Sequence, residues 1–183
     1  MRVIGGISKG RRLKVPKGQA LRPTAARVKE ALFNILPHEL CGVKVLDLFA
    51  GTGNLSIEAL SRGAAEALLV DASRGAGKAI RENLGAMDFS RRSRVWITPV
   101  PRAIRLLSRR GEKFDLIFLD PPYEKGWLGP VLKAIVHGGL LEEGGVLVVE
   151  HSVREEVEKD CGPLNLQDQR RYGTTRISFF GYR

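Results

Sequence analysis

Val45-Leu46-Asp47-Leu48-Phe49-Ala50-Gly51-Thr52-Gly53-Asn54 is the stretch that decides the architecture of this 183-residue chain. It starts as a continuous apolar run, as in a strand covered on both faces, passes two glycines and enters a segment of helical spacing. In an open parallel sheet such a loop lies at the carboxyl end of a strand, where ligands bind at the reversal of strand order. Gly51 and Gly53 can take positive φ and offer bare backbone to a ligand. A GxG pair by itself is equally compatible with a tight turn. Two acids favour the ligand. Asp47 sits late in an apolar strand, which costs desolvation unless loop amides or a ligand ammonium group pair with it. Asp71 closes the next strand-like run, close to the roughly 20-residue offset at which an acid meets ribose hydroxyls. Ser56 stands where a dinucleotide fingerprint has its third glycine, which counts against a dehydrogenase.

On either side of this loop the pattern alternates. Strand-like runs at Lys44 to Phe49, Ala67 to Asp71, Arg94 to Ile97, Phe114 to Asp120 and Val146 to Glu150 are separated by helical patterns. The helices fall at about Asn54 to Arg62, Gly75 to Ala86, Ala103 to Arg110, Leu128 to His137 and Arg154 to Asp160. Such alternation predicts an α/β, doubly wound, Rossmann-like sheet. Leu164 to Tyr172 and Thr174 to Tyr182 flank only Gly173, leaving no room for a helix, so the last strand must run antiparallel. Ahead of the core, Arg2 to Val15 reads as a glycine-turned hairpin. Thr24 can cap a helix with Val28, Ala31, Leu32 and Ile35 on one face and Pro37 as its stop. A single domain is expected, with residues 1–37 as a basic extension of a catalytic core at 43–183.

Charge divides the chain differently. Of the net +10, residues 1–29 carry nine Lys or Arg and no acid, and residues 90–113 carry eight against Glu112 alone. The remainder is net acidic. Segregated basicity of this kind marks a polyanion footprint, and nucleic acid is the favoured partner over a plainly solvated face. On a helix from Ala103, Arg102, Arg105 and Arg109 share a face, with Ile104 and Leu107 turned inward. No apolar run approaches the roughly 18 residues of a membrane span, and no signal peptide is visible, so a cytoplasmic location is expected. Cys41 and Cys161 form no metal-binding spacing, and His38, His137 and His151 share no ligand or triad spacing.

The second chemical signal is Asp120-Pro121-Pro122-Tyr123, which follows the Phe114 to Leu119 run. Prolines often do no more than stop a strand. The motif nevertheless resembles that of amino methyltransferases acting on adenine or guanine in nucleic acids, whose reaction is difficult because the lone pair of the exocyclic nitrogen is delocalised into the ring. A site for it must accept the N–H bonds and leave the lone pair facing the methyl. Asp120 and the carbonyl of Pro121 are suitable acceptors. Pro121 and Pro122 stiffen the segment, and Tyr123 can stack on a flipped base.

Asp47, the GxG loop and Asp71 resemble the S-adenosylmethionine (SAM) pocket of class I methyltransferases, whose seven-stranded, mostly parallel sheet has an antiparallel last strand. By that resemblance Asp47, Phe49, Ala50, Gly51, Thr52, Gly53, Asn54, Asp71 and Ala72 hold the cofactor, and Asp120 to Tyr123 form the catalytic loop. Nearly the whole chain resembles the RsmD family, which methylates the N2 amine of a guanine in 16S rRNA. The matching segments are Arg2 to Gly6, Gly10 to Leu13, Leu21 to Thr24, Arg27 to Asn34, Leu55 to Ala64, Glu150 and Tyr172 to Phe179. The resemblance implies a monomeric enzyme acting on the assembling small subunit, with Arg2, Lys9, Arg11, Arg12, Lys14, Arg22, Thr24 and Arg27 on the RNA. It implies no metal. Relatives often carry an acid or amide after the third strand to meet the adenine amine. This chain reads Ile97-Thr98-Pro99-Val100-Pro101, leaving that contact to Thr98 or backbone groups. Two other readings share some of these features: an adenine-N6 nucleic-acid methyltransferase, disfavoured by the lack of a target-recognition insertion, and a non-catalytic RNA-binding module.

Overall fold

Five apolar runs, the first four each followed by a helix, assemble into the parallel half of one sheet. The computed structural model describes residues 1–15, 23–158 and 160–183. Its strands are β1 (Lys44–Leu48), β2 (Glu66–Asp71), β3 (Ser93–Ile97), β4 (Phe114–Leu119), β5 (Leu141–Ser152), β6 (Asp160–Cys161), β7 (Leu164–Tyr172) and β8 (Thr175–Tyr182). The helices are α1 (Pro23–Ile35), α2 (Asn54–Ser61), α3 (Arg74–Ala86), α4 (Val100–Arg109) and α5 (Leu128–His137). The sheet order is β3-β2-β1-β4-β5-β8-β7-β6. Strands β1 to β5 pair in parallel, and β8 lies antiparallel between β5 and β7, as the helix-free tail requires. The two-residue β6 adds an eighth strand to the seven expected.

Alternating strand residues supply two apolar layers. Val45, Leu69, Leu116 and Phe118 pack with α1, α2, α3 and the amino-terminal segment, while Leu46, Leu48, Leu68 and Ile117 pack with α4 and α5. Strand order reverses between β1 and β4, which places the ligand crevice at their carboxyl ends.

Three expectations change. Residues 154–158 are not helical: Glu155 N–H donates to the carbonyl of Ser152 in a turn. Val157 is the sole apolar residue among Arg154 to Asp160, so a helix there would have no face to bury. In α1 the buried stripe is Val28, Leu32 and Phe33, continued by Leu36 just past its end, and Ile35 is exposed. The stripe is rotated because Phe33 packs on Phe118 with ring centroids 5.9 Å apart. The amino-terminal hairpin forms a single bridge, Arg2 to Arg12, rather than a ladder, and the Thr24 cap lies outside the described side chains.

Candidate active site

The Asp120 N–H reaches the carbonyl of Leu48 at 3.5 Å, so the two loops singled out in the sequence leave the sheet side by side. Between them opens a cavity of about 710 Å³. Asp47, Phe49, Ala50, Gly51, Thr52, Asn54, Asp71 and Ala72 line it together with all four residues from Asp120 to Tyr123. Gly53 stands outside the lining. Its φ of 77° starts α2, and a Cβ there would press within 3.0 Å of Leu69. Phe49 also holds a left-handed φ, 65°, which for a bulky residue costs on the order of 1–3 kcal/mol. The turn is pinned by the Ala50 N–H donating to Val70 O and by the Phe49 ring meeting Trp127 edge-on at 5.8 Å.

Two carboxylates shape the glycine loop. Asp47 is buried and accepts from the Ser56 hydroxyl at 2.8 Å and the Ser56 N–H at 3.3 Å. Burial pushes its pKa up to about 7 despite those bonds, and the charge of Asp71 adds to the rise. Its partner is thus the residue standing where a dinucleotide fingerprint has glycine. Asp71 accepts from Gly51 N–H at 2.9 Å and Ser73 N–H at 2.8 Å, one bond on each oxygen. After β3, Pro99 and Val100 line the cavity and Thr98 lies outside its lining, so that wall is apolar.

At the opposite end Tyr123 donates its hydroxyl to Glu150 Oε1 at 2.7 Å and lies 3.2 Å from Thr175 Oγ1. Burial, then the charge of Glu150, drive its pKa upward, so the phenol keeps its proton. His151 is buried beside Glu150. Its Nδ1 faces the carbonyls of Ser152 and Glu155 and its Nε2 the Ser178 hydroxyl, an arrangement that holds strands together.

The sequence reading overlooked a buried network behind the loop. Glu58 accepts from the N–H groups of Ile4 and Gly5 at 2.9 and 2.8 Å and pairs with Lys29 Nζ and Arg62 Nε, both at 3.1 Å. Lys29, lowered in pKa by its burial, also donates to Arg2 O and Asn54 Oδ1 and lines the cavity. Asn83 receives the Lys14 N–H and donates to the carbonyls of Lys14 and Thr52. At Gly6, φ 71°, a Cβ would fall 1.8 Å from Ser61 O, so only glycine lets the chain press onto α2. Met1 and Val15 complete the cavity wall. The signal was present: Asn83 interrupts the Ala76, Ile80, Leu84 stripe of α3, and a polar residue on an apolar face needs a partner. Arg2, Lys9, Arg11, Arg12, Lys14 and Arg27 are surface-exposed, Arg11 donating to Ala86 O and Lys14 pairing with Glu82. Arg22 and the Thr24 side chain lie outside the described residues.

Comparison with known proteins gives this geometry its relatives. Residues 1–181 match the family described as Conserved hypothetical protein 95. The chain is 38% identical to YlbH of Bacillus subtilis (strain 168) over 180 residues, 98% of each protein. It is 36% identical over 153 residues to the Escherichia coli (strain K12) protein named Ribosomal RNA small subunit methyltransferase D, covering 84% of this chain and 75% of that one. The solved structure of yhhF from Escherichia coli superposes with a TM-score of 0.85 at 32% identity, covering 100% of this chain and 98% of that chain. With a mixed sheet of this order, two adjoining strand-tip loops and a match that spans both, the chain belongs to the Conserved hypothetical protein 95 family, the RsmD family of methyltransferases.

Proposed function

We propose that the protein is a SAM-dependent methyltransferase that modifies the exocyclic N2 amine of a guanine in 16S rRNA. The observation that carries this reading is one cavity bounded by both the Asp47 to Asp71 loop pair and Asp120-Pro121-Pro122-Tyr123. Its volume is within the roughly 300–1,000 Å³ of small-molecule sites. The residues fit a nucleoside cofactor. Asp71 is oriented by two backbone N–H groups and keeps lone pairs on both oxygens for ribose hydroxyls. Gly51 exposes backbone, and Pro99 and Val100 give an apolar seat for the adenine.

SAM, when bound, supplies an electrophilic methyl carbon on a sulfonium. The protein's part is to hold the acceptor. Asp120 accepts one N–H of the amine and the Pro121 carbonyl the other, which turns the nitrogen lone pair away from the acceptors and toward the cofactor side. Both prolines fix φ, so the acceptors are placed before the substrate arrives. The Tyr123 ring, anchored at its hydroxyl, offers a stacking surface of about 1–3 kcal/mol. Most of the acceleration is then positioning, and no covalent nucleophile is needed. The exposed bases of the amino-terminal segment are assigned to rRNA phosphates, within the assembling small subunit, and the enzyme acts as a monomer of one domain.

The test is transfer of a tritiated methyl group to small subunits lacking the modification, followed by digestion to nucleosides. N2-methylguanosine is expected. N6-methyladenosine, or no product, rejects the reading. Asp120, which accepts the amine N–H, is also the base placed to take the proton that the nitrogen sheds on methylation, so Asp120→Ala is expected to lower kcat at least about 100-fold with the cofactor Kd by calorimetry essentially unchanged.

A further inference from the structure

Glu150 has no part in the reaction as described above, yet it stands on the wall of the same cavity as Asp120. The register places the two acids together. Leu119 of β4 pairs with Val149 of β5, and Asp120 and Glu150 are each one residue further along. The alternation that turns Phe118 and Val148 to one layer carries both carboxylates to that side of the sheet. A third observation joins them: the Tyr123 hydroxyl, 2.7 Å from Glu150, is held protonated by burial and by the charges of Glu150 and Asp120. Tyr123 therefore donates and Glu150 accepts. One such bond uses part of the capacity of a carboxylate, which has about four lone-pair sites.

Two neighbouring carboxylates suit two neighbouring donors. The edge of guanine presents N1–H directly beside the C2 amine, whereas adenine and 2-aminopurines without the 6-oxo group present a lone pair at N1. We infer that Glu150 determines base specificity in the reaction proposed above, accepting the guanine N1–H while Asp120 holds the N2 amine, and excluding purines whose N1 bears a lone pair. The inference rests on that proposal for the reaction and adds the reason that guanine is the substrate.

The experiment uses 16S rRNA carrying, at the nucleotide found by the methylation assay, either guanine or 2,6-diaminopurine, which keeps the C2 amine but has a lone pair at N1. Wild type is expected to favour guanine by about 100-fold or more in kcat/KM, because a site built to accept a hydrogen bond rejects an analogue lacking the donor. Glu150→Gln keeps an oxygen for Tyr123 and adds an N–H₂ donor. It is expected to slow guanine, speed 2,6-diaminopurine and bring the ratio below about tenfold. Tyr123→Phe, which removes the hydroxyl that bonds Glu150 and lies 3.2 Å from Thr175 Oγ1, is expected to be slower on both bases with the preference kept. The inference is overturned if wild type uses both bases equally, if Glu150→Gln loses activity on both in proportion, or if Tyr123→Phe abolishes the preference as fully as Glu150→Gln. Wild type methylating neither base at N2 would instead remove the proposed reaction itself, and this inference with it.

Discussion

Asp47 is a residue whose chemistry can be measured without any substrate. Its ordinary carboxyl pKa of 3.8 rises to about 7 in the folded chain, so between those values the native state binds a proton that the unfolded state has released. The sign follows. The stability associated with the protonated form is complete below about pH 4 and is lost as pH rises through about 7. Asp47→Asn keeps an acceptor for Ser56 and removes the ionisable group. Its expected stability, from urea unfolding of the ligand-free protein, matches wild type near pH 4 and exceeds it by up to about 4 kcal/mol at pH 8. A parallel pH dependence in both proteins would show that Asp47 titrates normally.

At the scale of elements, α2 explains why the amino-terminal segment cannot be treated as a detachable RNA arm. Its residues from Ser56 to Ser61 are all buried, because the sheet covers one side and residues 3–8 the other. Ser56 serves Asp47, Glu58 serves Ile4 and Gly5, and Ser61 serves Gly5 and Ser8. Breaking a buried ion pair leaves an uncompensated charge, so Glu58→Ala is expected to destabilise the protein by about 3–5 kcal/mol in equilibrium unfolding. With Met1 and Val15 in the wall and Asn83 tying Lys14 to Thr52, a protein lacking residues 1–20 should bind SAM more weakly in calorimetry.

For the whole molecule, the sheet separates the amino-terminal basic cluster from the α4 arginines, while Arg92 of the second cluster turns to the α2 side and donates to Ala64 O and Leu60 O. The amino-terminal segment packs with the layer of α1 to α3, and α4 belongs to the opposite layer. Arg102, Arg105 and Arg109 do share an exposed face, with Ile104 and Leu107 inward, but that face looks away from the layer to which Glu150 turns. We therefore propose the hairpin side as the RNA footprint. In a salt titration of RNA binding, each of Lys9→Gln and Arg12→Gln should reduce the slope of log K against log salt by roughly 0.7 to 0.9, as expected for one lost phosphate contact. Arg105→Gln with Arg109→Gln should leave that slope in place, and an equal loss there would extend the footprint across both faces.

Local signals sufficed for the strands from β1 to β5, four of the helices that cover them, the antiparallel tail and both strand-tip loops, because apolar period, glycine and proline act through near neighbours. They failed where neighbours are remote. The turn at 154–158 has charge without an apolar face, the rotation of α1 depends on Phe118, and Lys29, Glu58, Asn83 and Glu150 acquire their partners only when the chain closes on itself. Composition and spacing determined what kind of sheet forms and which loops leave its carboxyl edge. The tertiary structure decided which polar side chains are taken out of water there, since burial is a property of the packed layers and cannot be assigned to a residue in isolation.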